Sequence, residues 1–233
     1  MALSQHTMDS PPTFKITAHL LGSNNYRVEV DYVVPIIPPS LAGNSAKLME
    51  YAQEQVKSIL IDLKSCYAMN CEFYKPARAN IFSMAGYLHL PPKGETWRGH
   101  PSPGPFLMAY IHALCSSKNE CSKQALAASS QLEQVYLKGE MPKDQEDVAP
   151  TVPLDDSEQN EVDPSALFPR HGSCAHCKTF EKGSLSKCAA CKVTGYCGAL
   201  CQKADWPRHK RMCKLVENAR AVHIDNGTTI NWK

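Results

Sequence analysis

Cys174-Ala-His-Cys177, Cys188-Ala-Ala-Cys191, Cys197-Gly-Ala-Leu-Cys201 and His209-Lys-Arg-Met-Cys213 set four ligand pairs within the forty residues 174–213. Each spacing has a mechanical reason. A Cys-x2-Cys turn folds both thiolates onto one ion. The pairs Cys197/Cys201 and His209/Cys213 are spaced i,i+4, which puts both side chains on one helix face, one turn apart. Eight ligands make two closed tetrahedral sites with no position left for a catalytic water, so the expectation is structural Zn2+, two per chain. The segment is too small and too polar to fold on an apolar core alone. Structural zinc in finger peptides contributes roughly 10–16 kcal/mol at neutral pH, enough to fold it. Spacing leaves the pairing open: consecutive and interleaved sets both satisfy two ions.

The run Tyr196-Cys197-Gly198-Ala-Leu-Cys201-Gln202-Lys203-Ala-Asp205-Trp206-Pro-Arg-His209-Lys210-Arg-Met-Cys213 resembles the second half of a MYND-type zinc finger. In that family Tyr-Cys-Ser-x2-Cys-Gln-x3-Trp-x2-His-Lys-x2-Cys follows two Cys-x2-Cys knuckles. Tyr196, Gln202, Trp206 and Lys210 fall in register, and Gly198 stands where serine is usual. A RING finger is excluded by the Cys-x3-Cys and the terminal His-x3-Cys. A HIT finger is closer, but its histidine follows the sixth cysteine more closely than here. The resemblance covers residues 174–213 and nothing N-terminal to them.

What the resemblance implies is a cross-braced fold. One zinc takes Cys174, Cys177, Cys197 and Cys201; the other takes Cys188, Cys191, His209 and Cys213. It also implies a protein-interaction module that docks short proline-containing peptides, with Gln202 and Trp206 lining the groove and Tyr196 a further candidate. A flat aromatic suits a preordered polyproline-type ligand. His171 and His176, in and beside the first knuckle, are read as exposed histidines outside the ligand sets. Cys66, Cys71, Cys115 and Cys121 have spacings poor for a knuckle and are read as core or surface thiols.

Outward from the finger, the chain of 233 residues has room for one ordinary domain as well. Residues 1–12 are polar and read as a flexible N-terminus. Phe14, Ile16, Ala18 and Leu20 alternate with polar residues, as do Tyr26, Val28, Val30, Tyr32 and Val34. Two period-2 runs around Gly22-Ser23-Asn24-Asn25 predict a β-hairpin with one buried face. Leu48, Ala52, Val56, Ile59 and Leu63 recur at helical spacing and predict an amphipathic helix over 44–65. Residues 81–90 read as a third strand, 91–105 as a Pro/Gly loop and 106–137 as helix. The fold class is therefore an α+β domain over 13–139 joined to a small two-zinc finger over 170–216, with 217–233 as a tail.

Residues 140–169 carry nine acids against one base, and residues 170–214 carry ten bases against two acids. The acidic, proline-dotted stretch buries too little apolar surface to offset its ordering entropy and reads as a linker. Pro35-Ile36-Ile37-Pro38-Pro39 has the outline of a docked peptide, and a tethered finger could reach back to it. No apolar run approaches the ~20 residues that span a bilayer, and no signal peptide is evident. Eleven cysteines without export imply a reducing setting, cytoplasm or nucleus, where metal binding is favoured over disulfides.

The function expected is thus a zinc-binding adaptor or regulatory protein with a proline-motif protein partner. Nucleic-acid binding is the alternative suggested by the basic finger. Its bases are spread along the sequence, however, and the two zinc–ligand centres cancel about three of its charges (net −2 and −1). Enzyme activity is the less favoured alternative. MYND fingers occur within SET-domain lysine methyltransferases, but no Asn-His-Ser-Cys-like segment is present, and residues such as His89 and Asp62 form no recognisable triad.

Overall fold

A computed structural model describes residues 13–23, 26–35, 41, 44–89, 104–116, 120–139, 170–180, 185–223 and 229–233. The N-terminus 1–12, the 140–169 linker and most of the Pro35–Pro39 and 91–105 stretches lie outside the described residues. The expected hairpin is formed by β1 (Thr13–Leu21) and β2 (Tyr26–Pro35), paired antiparallel with Phe14 opposite Val34 and Leu20 opposite Val28. Phe14, Ile16, Ala18, Leu20, Val28, Val30 and Tyr32 are fully buried on one face. The other face carries a polar ladder. Thr17 donates to Asp31 at 2.8 Å, Lys15 pairs with Glu217 at 3.1 Å and Arg27 with Glu29 at 2.5 Å.

Helix α1 (Ser45–Cys66) begins where the Asn44 side chain accepts the Lys47 amide at 3.0 Å, a side-chain N-cap. Its stripe of Leu48, Ala52, Val56, Ile59 and Leu63 is buried against the apolar sheet face. Strand β3 (Ile81–His89) follows as expected. Residues 106–114, read as helix from sequence, are instead strand β4 (Phe106–Leu114), parallel to β1 and antiparallel to β3. The reason is burial on two sides. Leu107, Ala109, Ile111 and Ala113 face the α1 side, while Tyr110, His112 and Leu114 are buried on the other. Such a strand is a continuous apolar run with no period to distinguish it from buried helix. Helix α2 (Glu120–Gly139) covers β3 and β4 on that second side.

The segment read as a tail completes the sheet. After the finger's short strands β5 (Ser186–Lys187) and β6 (Gly195–Tyr196) and helix α3 (Ala199–Cys213), strand β7 (Val216–His223) pairs antiparallel with β2, and β8 (Thr229–Asn231) pairs with β7. The sheet order is β3-β4-β1-β2-β7-β8. The finger is therefore enclosed between elements of a single sheet and is not a terminal appendage. Finger residues Cys174, Cys188, Cys191, Val193, Tyr196 and Met212 share one buried cluster with α1 and the β1–β2 face. Among the described residues, no helix is long and apolar enough to cross a membrane.

Two glycines mark the seam where the finger meets the end of α1. Gly172 sits at φ +80 with its amide bonded to the Lys64 carbonyl at 2.9 Å, and a Cβ there would lie 2.6 Å from Ala68 Cα. At Gly195 a Cβ would lie 2.6 Å from the Ser65 carbonyl oxygen. Gly195→Ala is expected to lower the unfolding free energy of the whole chain in urea by about 1–3 kcal/mol, the usual cost of overpacking. Gly198→Ala, with nothing within 4 Å of the added carbon, is the control that leaves the midpoint in place.

Candidate metal centre and docking face

The four ligand pairs come together as two interleaved tetrads. Cys174, Cys177, Cys197 and Cys201 form one; Cys188, Cys191, His209 and Cys213 form the other; within each set the ligand atoms lie within 4.8 Å of one another. A tetrahedron with Zn–S bonds of about 2.3 Å has edges of roughly 3.8 Å. The spacings fall at or somewhat below that size: Cys177 to Cys197 is 3.2 Å, Cys197 to Cys201 is 3.5 Å, Cys188 to Cys213 is 3.8 Å, and Cys191 to His209 Nε2 is 3.6 Å. First pair joins third and second joins fourth, which decides between the arrangements that spacing left open. The all-cysteine tetrad lies at the surface, with Cys177 and Cys197 exposed, whereas all four members of the histidine-containing tetrad are buried.

Local backbone explains how each ligand is aimed. Lys178 and Lys192, just past the two knuckles, adopt positive φ of 63 and 60, the left-handed turn that folds a Cys-x2-Cys pair back on itself. The Lys178 and Lys192 amides then donate to the Cys174 and Cys188 carbonyls at 3.0 and 2.9 Å. Helix α3 carries Cys201, His209 and Cys213, so it belongs to both tetrads at once.

The second tetrad is supported from outside the finger. His209 presents Nε2 to the cysteines, while its Nδ1 lies 3.2 Å from Thr194 Oγ1 and 3.3 Å from the Asp62 carboxylate on α1. Asp62 is 2% exposed and also accepts from Arg208 at 2.8 Å. Arg208 reaches Asp205 as well, and Asp205 accepts from the Tyr196 hydroxyl at 2.9 Å. A carboxylate behind a ligating histidine fixes its tautomer and ring orientation. Burial opposes a charged imidazole, yet the hydrogen bonds to Asp62 and Cys191 raise His209 to about 10. Burial likewise opposes ionisation of Cys191, but the His209 hydrogen bond brings that thiol down to about 6. A zinc ion at this tetrad would need Nε2 unprotonated and the thiols ionised, so its uptake would release protons.

The remaining sequence candidates separate. Trp206 is 40% exposed, its ring 6.0 Å from that of His209, and Gln202 lies half-buried one turn earlier on α3. Tyr196 does not belong with them. It is 1% exposed, packed on His209 and bonded to Asp205, so it is a core residue of the finger and no part of an open groove. His176 is exposed as expected, but His171 is fully buried against Phe82, with ring centroids 4.4 Å apart, because the chain re-enters the domain there. Asp62, set aside with His89 in the sequence as part of no triad, is placed by the structure behind His209. Its signal was an acid three residues after Ile59 and beside Leu63, on the apolar stripe of an amphipathic helix.

Residues 174–213 match the MYND finger family model. The segment is similar to SET domain and MYND-type zinc finger protein 6 of Schizosaccharomyces pombe, 48% identical over 48 residues, 21% of this chain and 10% of that protein. Human N-lysine methyltransferase SMYD2 is 50% identical over 44 residues, 19% of this chain and 10% of that protein. For human histone-lysine N-methyltransferase SMYD3 the identity is 46% over 39 residues, 17% of this chain and 9% of that protein. The chain thus matches about a tenth of the length of each relative, and the likeness stops at the finger. The names of the two human relatives weigh against the expectation of no enzyme without deciding it. No solved structure matches the chain.

Because Asp62 lies outside the matched segment, its role is testable apart from the ligands. Asp62→Ala is expected to weaken metal binding 10–100-fold, the usual cost of losing such a partner. Competition with a chromophoric chelator measures it, with Glu54→Ala on the exposed side of α1 unchanged.

Proposed function

We propose that the chain is a zinc-binding interaction protein whose finger holds two structural zinc ions and docks a proline-containing peptide on the Gln202–Trp206 face of α3. The observation that carries this reading is Trp206. A large aromatic left 40% exposed, beside a histidine ligand and one turn from Gln202, is a flat platform with an amide donor and acceptor next to it. Polyproline ligands dock on such surfaces because their conformation is already ordered and little entropy is lost. MYND fingers as a class are interaction modules, and two closed four-ligand sets leave no position for a catalytic water. The cytoplasm or nucleus is the setting that keeps the thiols available to metal.

Two measurements test this. Cys177→Ala is expected to lower the zinc content by one equivalent relative to the unsubstituted chain, and Cys177→Ala with Cys191→Ala by two. Trp206→Ala is expected to weaken a fluorescent proline-containing peptide by at least about 30-fold, the loss of an aromatic hot spot worth about 2 kcal/mol, with zinc content unchanged. Release of zinc by Trp206→Ala would show a packing role instead. The relatives' names supply the second reading. Transfer of labelled methyl groups from S-adenosylmethionine to a lysine-containing protein would place the chain among enzymes.

A further inference from the structure

A third group of thiols lies away from the finger, on the α2 side of the sheet. Cys71 comes from the loop after α1, Cys115 from the end of β4 and Cys121 from the first turn of α2, and their three sulfurs lie within 4.8 Å of one another. Cys115 and Cys121 are 3.8 Å apart, the edge expected for ligands about 2.3 Å from a common ion. A disulfide needs two sulfurs; three segments each delivering one to the same point is a ligand geometry. Cys71 is fully buried, Cys121 7% exposed, and Leu114, Ala125, Phe73 and Ile81 surround them.

The backbone holds this convergence in place. The Cys71 amide donates to the Ala77 carbonyl at 2.8 Å, Glu72 to the Ala113 carbonyl at 2.9 Å and Asn80 to the Leu114 carbonyl at 2.7 Å, so the 71–80 loop is stitched to the end of β4. The same convergence meets the start of α2. Between Glu120 and Gln131 its buried residues are Cys121 and Ala125, while Leu126 is 60% exposed. Its polar fastening there includes one relay, Ser129 to His112 Nε2 at 3.0 Å with His112 Nδ1 on Glu72 at 2.8 Å. Over these first twelve residues the described contacts of α2 thus include two small buried side chains, that relay and the Tyr87 hydroxyl donating to the Ser129 carbonyl at 2.7 Å, and the thiol group sits at the end where the helix starts.

We propose that Cys71, Cys115 and Cys121 bind a metal ion of their own, zinc(II), which clamps the start of α2 to β4 and the 71–80 loop. Three sulfurs and no harder donor select a thiophilic ion. Among the described residues no fourth His, Cys, Asp or Glu atom joins the group, so the fourth position falls to water or another small exogenous ligand. Charge chooses between thiophilic ions. Three thiolates leave a net −1 with zinc(II) but −2 with copper(I), and an apolar surrounding penalises the larger charge.

The test is the 113Cd spectrum of the full cadmium-exchanged chain, with elemental analysis of the protein as purified under reducing conditions. One resonance beyond those of the finger is expected, lost in both Cys115→Ser and Cys121→Ser while the finger resonances stay. The purified protein is expected to contain one more zinc than either variant. Cys115→Ser keeps the test decisive should Cys121→Ser fail to fold, because Cys115 is only partly buried. Identical spectra for the unsubstituted chain and Cys115→Ser overturn the proposal. So does copper in place of the extra zinc, or a Cys115–Cys121 disulfide in the protein as purified. The finger resonances report the two-zinc reading separately, so failure of one is distinguishable from failure of the other.

Discussion

The buried Asp62 carboxylate joins a zinc finger to a sheet. A charge at 2% exposure costs several kcal/mol in desolvation unless it is compensated, and its partners, Arg208 and His209, both belong to the finger. Arg208 and His209 sit on α3, which also carries three of the eight candidate ligands, Cys201, His209 and Cys213. The carboxylate on α1 is therefore satisfied only when the finger is folded, and His209 is oriented only when α1 is in place. Each half supplies what the other lacks. Removing one side of such a buried pair costs about 3–5 kcal/mol, a large part of the roughly 5–15 kcal/mol that holds an ordinary domain together.

This coupling explains why the finger is threaded into the sheet. Met212 and Cys213 end α3, the Leu215 carbonyl accepts the Val33 amide at 2.8 Å, and Val216 begins β7 opposite Tyr32. Only two residues, Lys214 and Leu215, separate the last ligand from a strand of the main sheet. The core runs without a break from Phe14 and Val30 through Ile59 and Leu63 to Cys191 and Tyr196. A two-zinc finger alone has almost no apolar interior; docked here, it borrows one.

Much of this was legible in the sequence where one physical signal dominated. The hairpin followed from strict alternation, α1 from its stripe and the ligands from their spacing. What stayed hidden depended on tertiary partners. Strand β4 is sandwiched between α1 and α2 and so lost the alternation that would have identified it. Strand β7 places Ala219 and Ala221 on its buried face, residues too small to stand out from a polar tail. Cys71, Cys115 and Cys121 lack knuckle spacing because each is delivered by a different segment. The candidate groove residues divided by burial: Tyr196 is 1% exposed with its hydroxyl on Asp205, whereas Trp206 is 40% exposed.

Helix α3 forms against its own local propensity. Pro207 lies inside it, removing a backbone donor and costing about 3 kcal/mol in a free helix. No side chain caps its N-terminus at Gly198. What it carries is ligand residues at both ends: Cys201 in its first turn belongs to the all-cysteine tetrad and His209 and Cys213 in its last turns to the histidine-containing one, while Arg208 on Asp62 and Tyr196 on Asp205 fasten its middle. Trp206 sits on the span between those anchors, next to the proline. With both tetrads filled, as proposed, a residue in that position would be oriented from both ends of the helix that carries it. On the proposed docking face, a ring held in this way would lose less entropy on binding than a mobile one.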